Sequence, residues 1–148
     1  MAKEKVTDLY RDEPKYPSQR LVLELPLPPS VNHMYIFGRG NRKTLTKTAK
    51  DYIQTAQRIA IDKMFETGWK MDNPHVWFYM DLYFYFPDRI IRDSHNCLKL
   101  LTDVFEGLLY KNDYHILPRI QHVYYDKNKP RVIMQLAHVH HECFWTEE

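Results

Sequence analysis

Residues 76–86 read VWFYMDLYFYF, and apolar side chains recur in this stretch at every second position. One set of alternate residues is wholly apolar, whereas the other is aromatic apart from a single acid. The two sets are Val76, Phe78, Met80, Leu82, Phe84 and Phe86 against Trp77, Tyr79, Asp81, Tyr83 and Tyr85. This alternation predicts a β-strand with one face in the core, ended by Pro87.

A helix is predicted directly after this strand. Asp93 or Ser94 suits its N-cap, because a side-chain oxygen there accepts an orphan backbone N–H, and Gly107 marks its end. At about 100° per residue, one arc of this helix is apolar and the opposite arc is polar. The apolar arc holds Leu98, Leu101, Phe105 and Leu108, and the polar arc holds Asn96, Lys99 and Asp103.

The remaining pattern completes an α/β chain. Alternating leucines predict a strand over residues 20–27, and helical spacing predicts an amphipathic helix from Thr46 or Thr48 to Gly68. Strands over residues 120–125 and 132–139 follow, joined by residues 126–130, which have hairpin-loop composition. The order β-α-β-α-β-β predicts a mixed β-sheet with two main helices packed on it.

Length and composition favour one soluble domain. The chain has 148 residues, of which 44% are hydrophobic, and its two cysteines form no disulfide framework. We expect an extended or disordered arm over residues 1–19, the domain over residues 20–141 and a tail over residues 142–148. No segment approaches the run of about 18 apolar residues that spans a bilayer, so we expect a cytoplasmic protein without a membrane partner.

One segment is strongly basic, although the net charge of +2 is too small to indicate nucleic acid by itself. Residues 36–50 contain no acid, and Gly38 and Gly40 favour a flexible loop at their start. Such a loop suits a phosphate backbone, because Lys and Arg release condensed counterions from DNA. The basic residues are Arg39, Arg42, Lys43, Lys47 and Lys50.

Two motifs resemble those of the RusA-type Holliday junction resolvases. Residues 25–32, LPLPPSVN, are similar to the family opening L-P-x-P-P-S/T-x-N. The family core D-x-D-N-x-x-K-x-x-x-D…G…(D/N)-D is matched by Asp93, Asn96, Lys99, Asp103, Gly107 and Asn112-Asp113. The resemblance spans roughly residues 21–139, with His95 standing where the family has its second aspartate. The sequence resembles the phage and prophage members of this family as much as the chromosomal ones.

The resemblance implies a homodimeric, Mg²⁺- or Mn²⁺-dependent endodeoxyribonuclease that resolves Holliday junctions or other branched DNA by paired cleavage in recombination and repair. The catalytic residues that it implies are Asp93, Lys99 and Asp113, to which we add His95 at the position of the second aspartate. The leading metal ligands are Asp93 and Asp113, and Asp103 is a third ligand, an outer-shell acceptor or a structural partner of Lys99. The DNA-binding residues that we expect are Asn32, Arg39, Arg42, Lys43, Lys47 and Asn96.

His95 leaves alternatives open. It ligates a metal that tolerates nitrogen, it acts as an acid, base or phosphate contact beside an Asp93/Asp113 site, or it marks an impaired enzyme; we favour the second role. Lys99 and Asp103 also fit a plain surface ion pair at i,i+4 spacing. The alternative functions are a catalytically impaired junction-binding protein and a metal-dependent phosphoesterase acting on RNA.

Overall fold

A computed structural model of the chain describes residues 20–29, 35–71, 77–90 and 92–139. The predicted arm at residues 1–19, the predicted tail at residues 142–148 and Asn32 lie outside the described residues. Within the described ranges, no helix is both long enough and apolar enough to cross a membrane.

The core of the fold is a four-stranded mixed sheet in the spatial order β1-β6-β4-β5. Its strands are β1 (Arg20–Leu25), β4 (Phe78–Phe86), β5 (Ile116–Tyr125) and β6 (Arg131–His138). β4 runs parallel to β5 and antiparallel to β6, which in turn pairs antiparallel with β1. The helices are α1 (Lys47–Thr67) and α2 (Leu98–Val104). The predicted fold class, a mixed sheet with two main helices, is confirmed.

The alternation along β4 places its apolar set in the core, as predicted. Phe78, Met80, Leu82 and Phe84 are at most 2% exposed, whereas the tyrosines of the other face are half-buried. β4 and β6 are the two strands with a neighbour on each side, and β4 pairs with β5 and β6. The same hydrophobic cluster includes residues of all four sheet strands and both helices.

Asp81, an acid within an otherwise aromatic strand face, is explained by β5. Arg119 Nε and Nη2 donate to the two carboxylate oxygens of Asp81 at 2.6 and 2.9 Å, and Gln121 Nε2 donates at 2.9 Å. The β4–β5 register shifts after Leu82, so Gln121 has no partner residue on β4. The Arg119 guanidinium also covers the Tyr79 ring, 3.7 Å from its centroid. The buried charge is thus fully paired.

The predicted hairpin loop at residues 126–130 does not join a hairpin, because β4 lies between β5 and β6. The backbone N–H of Asp126 donates to Phe86 O at 2.7 Å, so the connection passes the end of β4. Asp126 Oδ1 accepts the backbone N–H groups of Asn128 and Lys129, both at 3.1 Å. The turn-forming composition therefore serves a connection between the non-adjacent strands β5 and β6.

β5 begins four residues before the predicted start, at Ile116, and contains Pro118. A proline removes one backbone donor, which a strand at the edge of a sheet tolerates. The fold gives β5 this edge position, which sequence pattern does not reveal.

The caps of α1 follow the sequence. Thr46 Oγ1 accepts the N–H of Ala49 at 3.1 Å, and Gly68, with φ of +74°, ends the helix. α1 buries mainly small residues, which lets it lie close to the sheet. By contrast, α2 is shorter than predicted, since residues Ser94–Cys97 form a 3-10 turn before it and it ends at Val104.

The basic segment, which its glycines predict to be a flexible loop, forms a hairpin. β2 (Tyr35–Phe37) and β3 (Lys43–Leu45) pair antiparallel, and Gly38 N donates to Arg42 O at 2.8 Å. Gly40 has φ of +72°, which glycine adopts without strain. This glycine therefore allows the tight turn at the tip of the hairpin.

Replacing Arg119 is expected to destabilise the sheet. Arg119→Met leaves the Asp81 carboxylate largely buried with one remaining donor, which we expect to lower the free energy of unfolding by about 2 kcal/mol. Chemical denaturation monitored by tryptophan fluorescence measures this change. Arg58→Met, at an exposed position of α1, is the matched control, and an equal loss in both variants would contradict the role of the Asp81 pair.

Candidate active site

Asp93 closes the turn that leads into α2. Its Oδ1 accepts the backbone N–H of His95 at 3.0 Å, so Asp93, one of the two predicted residues, is the N-cap. The same oxygen lies 3.0 Å from His95 Nδ1, and both side chains are exposed. One carboxylate therefore fixes both the backbone turn and the orientation of the imidazole.

Lys99 lies at the centre of the polar arc of α2. Its Nζ donates to Asp103 Oδ1 at 2.8 Å and to Asp113 Oδ2 at 2.9 Å. The hydrogen bonds to Asp103 and then Asp113 raise the pKa of Lys99, and the bond from Lys99 holds the pKa of Asp113 below its usual range. The predicted ion pair of Lys99 and Asp103 is present and extends to a third residue.

The turn after α2 brings Asp113 back to this lysine. Gly107 has φ of +78°, which favours glycine, and its N–H donates to Tyr110 O at 2.7 Å. Tyr110 is buried, and its hydroxyl donates to the carbonyl oxygen of Thr102 in α2. The turn is thus bound to the helix that carries Lys99.

Residues of α1 and its C-terminal extension hold the same turn from the other side. Gln57 Nε2 donates to Val104 O at the end of α2, at 3.0 Å. Trp69 Nε1 donates to Leu109 O within the turn, also at 3.0 Å, and both groups of this bond are buried. The site is therefore supported by the packed core, since α1 and Trp69 belong to it.

Three carboxylates meet at the end of α2: those of Asp103, Glu106 and Asp113. One oxygen atom from each lies within 4.8 Å of the others. Glu106 is a residue that the sequence analysis missed, although its position three residues after Asp103 at the end of the helix is a usable signal. Asp93 does not belong to any such group of three among the described residues.

The model of the protein family described as endodeoxyribonuclease RusA matches residues 26–137, which is most of the chain. The chain belongs to the RusA family. A search of curated proteins found no match. Membership implies endonuclease activity of the Holliday junction resolvase type.

The residues at the RusA motif positions fall into two groups. Asp93, His95 and Asn96 lie at the 3-10 turn before α2, where Asn96 is exposed and its backbone N–H donates to Asp93 O at 3.3 Å. Asp103 and Asp113 both accept hydrogen bonds from Lys99 Nζ, which extends from the first turn of α2. Of the three predicted metal ligands, the structure therefore joins Asp103 and Asp113 and leaves Asp93 with His95.

The predicted DNA-binding residues of the RusA domain lie mainly on the β2–β3 hairpin. Arg39, Arg42 and Lys43 are exposed there, and Lys47 is exposed at the first position of α1. These four side chains therefore lie on one continuous segment that begins at the hairpin tip and ends at the start of α1.

Replacing Lys99 is expected to change the titration of Asp113. In Lys99→Met, the pKa of Asp113 should rise towards its ordinary value of about 4, because the ammonium that favours the carboxylate is gone. Carboxyl chemical shifts followed by NMR against pH measure this. Because the folded-state pKa of Asp113 is lowered, the stabilisation is present above about pH 4 and is lost as the pH falls through the folded-state pKa. Lys111→Met, which removes an exposed lysine of the following turn, should leave Asp113 unchanged.

Proposed function

We propose that this RusA-family chain is a metal-dependent endodeoxyribonuclease that resolves Holliday junctions or other branched DNA by paired phosphodiester cleavage in recombination and repair. The main support for the proposal is that Lys99 lies between Asp103 and Asp113 and donates to both. All three residues stand at motif positions, within the range that the RusA family model matches. A lysine and two acids at one exposed site are groups that phosphodiester cleavage uses.

The carboxylates fit a hard divalent cation. Mg²⁺ prefers oxygen ligands at about 2.1 Å, so two ligand oxygens of one ion lie up to about 4.2 Å apart. Oxygens within 4.8 Å of one another reach such a spacing by small side-chain rotations. We therefore propose Mg²⁺ or Mn²⁺ as the cofactor and Asp103 and Asp113 as its ligands. When bound, the ion would neutralise charge on the phosphate and acidify a water molecule.

Lys99 is suited to contact the phosphate. Its side chain is 74% exposed, and its ammonium is held only by the two carboxylates among the hydrogen bonds described. A cation between these carboxylates would release Nζ, which can then donate to a phosphate oxygen and stabilise charge in the transition state.

Asp93 and His95 are proposed as the second catalytic pair. With the proton on Nδ1, His95 donates to Asp93, so that Nε2 accepts a proton from water or contacts a phosphate. The side chain of His95 is 79% exposed, which leaves Nε2 accessible to a substrate. In this arrangement Asp93 positions the histidine, whereas the family resemblance implies that it binds the metal. Asp93→Asn should abolish cleavage and leave junction binding intact in either role, so undiminished cleavage would refute both.

Cleavage is expected to depend on Asp113. Asp113→Asn removes a charged ligand, so we expect cleavage of a labelled four-way junction in Mg²⁺ or Mn²⁺ to fall at least about 100-fold while binding persists. Electrophoresis of cleaved strands and band shifts in Ca²⁺ measure the two properties. Asp51→Asn, at an exposed position of α1, is the control. Undiminished cleavage by Asp113→Asn would refute the proposed metal site.

A dimer follows from the symmetry of the substrate. A four-way junction is resolved by two cuts related by a two-fold axis, so two copies with one site each match it. We therefore propose a homodimer that acts on DNA in the cytoplasm or nucleoid. Sedimentation that shows a monomer at concentrations where the junction is cut would contradict the dimer.

The hairpin is the proposed backbone contact, with Asn32 and Asn96 as additional polar contacts. The exposed Arg39, Arg42 and Lys43 lie on one short ordered element, which positions three cations with little loss of entropy. Such contacts recognise the backbone and shape of DNA rather than its sequence.

Replacing Arg39, Arg42 and Lys43 by alanine should lower the affinity for the junction. It should also make that affinity less dependent on salt concentration. Each lost phosphate contact lowers the magnitude of the slope of log K against log salt by about 0.9. Fluorescence anisotropy over a salt series measures the slope. Lys127→Ala, in the exposed β5–β6 connection, is the control; an unchanged slope in the triple variant would exclude the hairpin from the interface.

A second candidate is a protein that binds junctions without cutting them. The observation that favours it is His95, which stands in place of a motif aspartate and leaves Asp93 outside the carboxylate group. Binding of the junction by the wild-type chain without cleavage across a metal series supports this candidate. Preference for RNA in a competition assay would instead support a phosphoesterase acting on RNA.

A further inference from the structure

An arginine–tyrosine patch, formed by Arg89, Ile90 and Tyr125, lies beside the loop that leads to the candidate site. Tyr125 is the last residue of β5 and pairs with Phe86, the last residue of β4. Arg89 and Ile90 follow in the loop between Phe86 and Asp93. The parallel pairing of β4 and β5 thus brings the end of one strand next to the start of the path to Asp93 and His95.

Both apolar members of the patch are exposed to solvent. Ile90 is 66% exposed and Tyr125 is 55% exposed, although both are large hydrophobic residues. The guanidinium of Arg89 lies 5.4 Å from the centroid of the Tyr125 ring. The patch therefore combines an exposed ring, a cation held over it and an exposed aliphatic side chain.

The neighbouring arginine contacts the same loop. Arg92 lies 5.3 Å from the centroid of the Phe86 ring, and its Nη2 donates to Asp88 Oδ2 at 3.2 Å. Asp88 also accepts the N–H of Ile90 at 3.0 Å. Asp88 therefore bonds to the loop at Ile90 and at Arg92, close to the patch.

We propose that Tyr125 and Arg89 form a stacking platform for a base that is unstacked at the branch point of the DNA substrate. Aromatic rings and guanidinium groups stack on the π-face of any base, and the positive charge favours the adjacent phosphate. Bases inside a duplex are already stacked, so such a platform engages the bases that a branch leaves unstacked. This inference rests on the proposed function and adds a contact that favours branched DNA over duplex DNA.

Tyr125→Ala tests the platform on a four-way junction that carries 2-aminopurine at the branch point. In Ca²⁺, we expect the variant to bind the junction about tenfold more weakly than wild type and to change the 2-aminopurine fluorescence less. Affinity for a matched duplex should not change. Tyr125→Phe keeps the ring and should restore both signals, and Phe65→Ala, which removes a side chain that is 86% exposed on α1, is the matched control.

The outcomes separate this inference from the proposed function. If wild type binds the junction and Tyr125→Ala binds it equally well, the platform is refuted while the nuclease proposal stands. If Tyr125→Ala instead changes the sedimentation of the free protein, the patch is a protein contact and the platform is also refuted. If wild type binds no junction, the proposed function itself fails.

Discussion

The position of β4 at the centre of the sheet is the constraint on which the remaining structure depends. Its inner face buries aromatic and aliphatic side chains, and it pairs with β5 on one side and β6 on the other. Because β5 is parallel to β4, the chain must cross from the end of β4 to the beginning of β5. α2 lies within that crossover, so the crossover carries the motif residues.

This geometry explains the division of the site. Asp93 follows the end of β4, whereas Asp113 precedes the beginning of β5, and parallel strands have their beginnings together. α2 runs between these two ends, with Lys99 reaching Asp113. We infer that metal binding and phosphate contact take place around Lys99. The Asp93–His95 pair and the arginine–tyrosine patch lie near the end of β4, at the opposite end of the same crossover.

The backbone of the candidate site is held mainly by hydrogen bonds from residues outside the site. Trp69 and Gln57 donate to the backbone of the turn and of α2, and the hydroxyl of the buried Tyr110 donates to Thr102 O in α2. The side chains of Lys99 and the three carboxylates therefore extend from a backbone that these hydrogen bonds hold in place. Such preorganisation allows exposed groups to keep a defined geometry.

The sequence by itself determined the strand pattern of β4, the end of α1 at Gly68 and the family motifs, because each depends on residues close together in the chain. It left the N-caps open between Thr46 and Thr48 and between Asp93 and Ser94, and the structure has Thr46 and Asp93. The pairing of strands was decided only by the tertiary structure, since a turn-forming segment such as residues 126–130 looks the same in a hairpin and in a crossover. For the same reason, the pairing of Arg119 with Asp81 and the position of Arg89 over the Tyr125 ring emerged only from the fold. Each joins segments whose proximity is set by burial of the shared core.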